Sequence, residues 1–82
     1  MSAGTVEVLY FASLRDAAGA ASERVTFDAG DLAALYERLQ QNHAFALPRQ
    51  RLRVAVDGAF ANWADPVRDG SVVAFIPPVS GG

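Results

Sequence analysis

Residues 77–82 read Pro-Pro-Val-Ser-Gly-Gly, and here residue type and spacing allow the clearest chemistry in the chain. Gly81 and Gly82 carry no Cβ, so enclosing walls can come close to the backbone, and the Gly82 carboxylate is unhindered. Pro77 and Pro78 cannot donate to a sheet ladder and favour an extended, polyproline-like path. They are expected to end the last strand and to carry Val79, Ser80, Gly81 and Gly82 away from the body as an arm able to thread a narrow channel. Residues 1–82 are thus read as one domain whose flexible tail, 77–82, is stiffened at its root by two prolines. Elsewhere chemistry-bearing side chains are sparse. Cysteine is absent, which removes disulfides, thiolate catalysis and thiolate metal sites together. His43 is the single histidine; it reads as a cation near a helix C-terminus, and no metal site is expected. Asp57, Asp65 and Asp69 read as turn formers rather than an acid/base set. No nucleophile, base and cleft constellation can be composed, so the chain is not expected to be an enzyme alone.

Composition narrows the partners. Hydrophobic residues are 51% of the chain and charged residues 20%, a globular balance rather than a disordered one. The formal net charge of -2 argues against nucleic acid or an anionic membrane as partner. No apolar run approaches the roughly 20 residues of a membrane span, and residues 1–5 lack the basic-then-apolar pattern of a signal peptide. A cytoplasmic location is expected, in keeping with the missing cysteines. All seven basic residues are arginines, so no side-chain amine is offered for Schiff-base chemistry or isopeptide bonds. Arginine-rich coding bias is the plain explanation.

Several short elements must position the tail. Thr5–Phe11 reads as a strand by its β-branched and aromatic residues, with Val6, Val8 and Tyr10 on one face and Glu7, Leu9 and Phe11 on the other. The charge of Glu7 marks its face as the outer one. Ser13–Ala18 reads as a helical turn ended by Gly19, and Glu23–Phe27 as a second strand with Val25 and Phe27 inward. Leu32, Leu35, Tyr36 and Leu39 fall at i, i+3, i+4 and i+7, an amphipathic helix. Its start lies among Asp28, Gly30 and Asp31, and Pro48 bars its continuation. Leu52, Val54 and Val56 alternate as a third strand. Asp57-Gly58 predicts a two-residue hairpin into a short fourth strand near Phe60. Asp65-Pro66 predicts a helical turn, and Asp69-Gly70 another turn. Ser71–Ile76, apolar on both faces, predicts a central, parallel-paired strand or one whose outer face meets a partner. One striped helix over one half-apolar sheet is a two-layer α+β domain. A first hairpin, a crossover helix and a two-sided last strand indicate the β-grasp: a mixed sheet, one main helix on one face, first and last strands adjacent.

By parity Leu9, Phe11 and Ile76 lie outside with Val72 and Ala74, and Phe60 joins them if the fourth strand lies at that edge. A contiguous apolar patch there marks a protein contact, so Leu9, Phe11, Phe60 and Ile76 are the candidate partner interface. Arg49, Arg51 and Arg53 alternate and would share one side of a strand starting that early, either as a solvated row or as the basic rim of the contact. Trp63 reads equally as a partner anchor or a lid over the core's edge.

Two stretches carry a family resemblance: Val8-Leu9-Tyr10-Phe11-Ala12-Ser13-Leu14-Arg15-Asp16, and residues 65–82, ending Phe-Ile-Pro-Pro-Val-Ser-Gly-Gly. Together they resemble the small subunits of molybdopterin synthase, which are ubiquitin-like; between Ala20 and Gln50 only the helix pattern agrees. The resemblance implies a sulfur carrier for molybdenum-cofactor synthesis. A partner activating enzyme uses ATP to adenylate Gly82, sulfur replaces AMP to leave a thiocarboxylate, and the tail enters the large synthase subunit. There sulfur passes to cyclic pyranopterin monophosphate. It further implies a heterotetramer of two small and two large subunits, no stably bound cofactor, and Pro77–Gly81 as the threading segment. A thiocarboxylate carries sulfur without any cysteine. Two alternatives stand beside it: a carrier of the thiazole type with the same Gly-Gly chemistry, and a ubiquitin-like binding module or modifier that donates no sulfur.

Overall fold

The computed structural model describes residues 4–28 and 30–78. In chain order they form β1 (Gly4–Tyr10), α1 (Ala12–Ala18), β2 (Ser22–Phe27), α2 (Leu32–His43), a 3₁₀ turn (Arg49–Arg51), β3 (Arg53–Val56), β4 (Ala59–Ala61) and β5 (Val72–Ile76). The five strands make one mixed sheet in the order β2-β1-β5-β3-β4. β1 and β5 run side by side in parallel, and the other pairings are antiparallel. The last strand is central, as its two-sided apolarity requires. The expected α+β, β-grasp arrangement is the one observed.

Period-2 alternation decides which side chains enter the core. Val6, Val8 and Tyr10 of β1, Val25 of β2, Val54 of β3, and Val73 and Phe75 of β5 are buried against Leu32, Leu35, Tyr36 and Leu39 of α2. Tyr36 is fully buried; its hydroxyl donates to the Leu47 carbonyl at 2.7 Å, satisfying the one polar atom that burial would otherwise strand. Burial also pushes its pKa up. Trp63 stacks on Phe75 at 5.9 Å between ring centroids and tilts against Tyr36, so it is the lid over the core's edge.

Asp31 is the α2 N-cap, its carboxylate accepting from the Ala34 amide at 2.9 Å. Two more first-turn amides donate to a distant loop: Leu32 to the Asp65 carbonyl and Ala33 to the Trp63 carbonyl, each at 3.0 Å. This corrects the helical turn expected at Asp65-Pro66. Pro66 instead bridges antiparallel to Asp31, because the segment serves the orphan donors of α2. The arginine row is corrected as well. Arg49 and Arg51 lie in the 3₁₀ turn and Arg53 opens β3, so the three do not alternate along one strand. Asp57-Gly58 forms the expected hairpin, with φ of 52° and 87°, the left-handed pair that a type I′ turn demands.

Candidate functional site: the outer face of the sheet and the exit to the tail

The outer face follows from the register. Leu9 pairs with Ala74 across β1 and β5, Ala74 with Ala55 across β5 and β3, Ile76 with Arg53, and Ala55 with Phe60 across β3 and β4. Among the described residues no helix lines this side. Leu9, Phe11, Ala55, Gly58, Phe60, Val72, Ala74 and Ile76 line an apolar groove of about 280 Å³. All four predicted interface residues, Leu9, Phe11, Phe60 and Ile76, therefore meet in one place. Phe11 is 45% and Phe60 67% exposed, the only large hydrophobic side chains among the described residues that are so open.

Phe11 reaches the groove by a route that strand parity alone does not describe. β1 ends at Tyr10 and Phe11 is the extended N-cap residue of α1 (φ -126°, ψ 150°). Ala12 then takes φ of 51°, a left-handed turn that costs a residue with a Cβ on the order of 1 kcal/mol. The chain leaves the sheet there, and Phe11 stays on its outer side. Gly58 enters the groove wall from the hairpin. Asp57 fixes that hairpin to β5: its amide donates to the Val72 carbonyl and its carboxylate accepts from the Val72 amide, both at 2.9 Å.

At the C-terminal end of β5, Ile76 lines the apolar groove and also a second recess of about 500 Å³, edged by Gln50, Arg51, Leu52, Arg53, Phe60, Pro77 and Pro78. The path to the tail thus begins in the groove wall itself. Val79, Ser80, Gly81 and Gly82, the tail residues singled out for chemistry, lie outside the described residues.

One cluster escaped the sequence reading. The Tyr10 hydroxyl donates to Glu23 Oε1 at 2.7 Å, and His43 Nε2 lies 2.9 Å from the same oxygen. His43 also packs edge-on against Tyr10. His43 is thus not a free helix-end cation; it ties the end of α2 to β2. The hydrogen bond from Tyr10, then that from His43, holds the Glu23 carboxyl below its usual range, while desolvation opposes this. Burial first, then the bond to Glu23, pushes the Tyr10 phenol far up. The available signal was parity, since Glu23 shares the inward face of Val25 and Phe27.

A mixed five-stranded sheet with parallel β1 and β5, one main helix on its inner face and a bare apolar outer face defines a ubiquitin-like β-grasp protein. Residues 8–82 match the ThiS family, and the chain belongs to it. It is 34% identical over 80 residues to the molybdopterin synthase sulfur carrier subunit of Escherichia coli (strain K12), covering 94% of this chain and 99% of that protein. Among solved structures, the crystal structure of SAMP1 from Haloferax volcanii matches with a TM-score of 0.80 at 27% identity, covering 96% of this chain and all of that one. A protein–protein complex of subunits 1 and 2 of molybdopterin-converting factor from Helicobacter pylori 26695 matches with a TM-score of 0.63 at 28% identity, covering 95% of this chain and 99% of the matched one.

Proposed function

We propose that this protein is the sulfur carrier subunit of a molybdopterin synthase. The observation that carries the reading is near-complete, collinear similarity to a named sulfur carrier subunit, on a fold whose central strand leads from an exposed apolar groove into Pro77-Pro78. The Gly82 carboxylate is the working group. In the activating enzyme it attacks the α-phosphorus of ATP, pyrophosphate leaves, and a glycyl adenylate forms. Hydrosulfide, sulfur at the sulfide level delivered by a sulfur donor, then attacks the acyl carbon, AMP leaves with the C–O bond electrons, and a thiocarboxylate remains. This terminus enters the large subunit, where its sulfur passes to cyclic pyranopterin monophosphate and water restores the carboxylate. Beyond this terminal carboxylate the chain supplies no acid, base or nucleophile of its own, and works in the cytoplasm with two partners in turn. Two small and two large subunits form the synthase.

The match to a chain of the complex of subunits 1 and 2 of a molybdopterin-converting factor favours the molybdopterin pathway over the thiazole alternative. Intact mass of protein purified from its own host tests the reading, with the expected species having one oxygen replaced by sulfur at Gly82. With the activating enzyme, ATP, magnesium and a sulfur donor, the purified chain should be converted to that species in proportion to carrier. A chain that stays a plain carboxylate under both conditions, and supports no molybdopterin formation with the large subunit, would overturn it.

A further inference from the structure

The apolar groove and the arginine-edged recess adjoin across Phe60 and Ile76, so a protein seated on one also covers the mouth of the other. Arg53 is held at that junction. It lies opposite Ile76 on the outer face, with its guanidinium 5.4 Å from the centre of the Phe60 ring. Arg51 stands beside it on the 3₁₀ turn. Among the described residues, the arginine that finds a carboxylate here is Arg49, 3.5 Å from Glu37; Arg51 and Arg53 have none. Covering a guanidinium strips its water, and without a counter-charge that desolvation opposes binding. An occupant of the apolar groove must therefore bring an anion to this end.

We infer that Arg51 and Arg53 bind a carboxylate of the large subunit, from a segment that places an apolar side chain in the groove and an Asp or Glu beside the root of the tail. This rests on the carrier reading above. The planar guanidinium suits carboxylates, bidentate where geometry permits, and its place over the Phe60 ring keeps Arg53 at the edge of the recess, next to the groove. Two arginines at the end of an apolar groove on a chain of net charge -2 are too narrow a basic surface for nucleic acid. The pairing would fix the rotation of the docked carrier, and so the direction in which Pro77-Pro78 leads the tail.

The test is binding of the full chain to the large subunit from the same genome, at low and high salt, with and without ATP. Arg51→Met/Arg53→Met keeps much of the packing stem and removes both charges. It should melt like the wild type, bind roughly thirtyfold more weakly at low salt, and lose most of the salt dependence shown by the wild type. ATP should not displace the large subunit. Equal affinity and equal salt dependence of the double variant would overturn this pairing alone. Displacement by ATP that the double variant abolishes would also overturn it, marking a phosphate site instead. A wild-type chain that does not bind the large subunit at all would overturn the carrier reading together with the pairing.

Discussion

Phe11 and Phe75 are the same residue type with opposite fates. Phe75 is fully buried beneath Trp63 and Tyr36, whereas Phe11 stands at the corner between β1 and α1 with no core to account for it. Phe75→Ala should therefore cost about 3–5 kcal/mol of stability, visible as a much lower urea midpoint. Phe11→Ala should leave the midpoint within about 0.5 kcal/mol of wild type and weaken binding to the large subunit roughly thirtyfold, as expected for an aromatic anchor. A large stability loss on Phe11→Ala with undiminished binding would place Phe11 in the core's service rather than the partner's. The Tyr10–Glu23–His43 cluster predicts a pH signature of a different kind. The Glu23 carboxyl is depressed, so its contribution is present above the ordinary carboxylate range and lost as pH falls through its lowered value. The Tyr10 phenol is raised, so its contribution is complete below its ordinary value near 10 and declines as pH rises beyond that. Urea unfolding of Glu23→Gln should show lower stability at pH 7 and a smaller further loss towards pH 3 than wild type. Tyr10→Phe should flatten the alkaline decline. A Glu23→Gln variant with wild-type acid dependence would show that the cluster contributes nothing to that limb.

Elements were legible in the sequence where one local rule decided them, and illegible where a distant partner did. Strand alternation placed Leu9, Val72, Ala74 and Ile76 outside because parity has only two answers and Glu7 chose between them. The Asp57-Gly58 turn was legible because few residue pairs tolerate two consecutive left-handed conformations. Pro66 was misread. Its local preference for a helix start is real, but the carbonyls of Trp63 and Asp65 are engaged by amides of α2, about thirty residues earlier in the chain. The arginine row failed likewise, since alternation cannot reveal a 3₁₀ turn that interrupts it. Glu23 and His43 meet across twenty positions of sequence, beyond any periodicity. The hairpin offers a test at this scale. Asp57 holds Val72 by two hydrogen bonds, which sets the start of β5 and hence where Val72, Ala74 and Ile76 fall along the groove floor. Asp57→Ala removes the side-chain bond and places a residue with a stronger steric objection at positive φ. It should cost about 1–3 kcal/mol, read from chemical unfolding, whereas Asp57→Asn should recover most of the loss. Equal stability of Asp57→Ala and wild type would mean that the hairpin holds β5 through its backbone alone.

At the scale of the whole molecule, body and tail divide the work. The sheet's last ladder residue is Ile76, paired with Arg53, and the deepest core residue of β5 is Phe75. Among the described residues the ladder and core contacts of β5 therefore precede Pro77, while the proposed chemistry sits at Gly82. The two should be separable by truncation. Deleting Gly81 and Gly82 should leave the urea midpoint within about 0.5 kcal/mol of wild type, since the β5 ladder ends at Ile76. It should also abolish sulfur loading and molybdopterin formation, because the next carboxylate along would be that of Ser80, displaced by two residues or about 7 Å of extended chain. Adding a single residue after Gly82 should have the same effect for the opposite reason, the carboxylate then overshooting the position at which the adenylate forms. Binding to the large subunit should fall much less than activity in both variants, because the groove around Phe11 and Phe60 is untouched. A truncated chain that still supports molybdopterin formation would refute the carrier role of Gly82, however well the groove bound its partner. A truncated chain that lost its fold would show instead that the tail belongs to the body and that the division drawn at Pro77 is false.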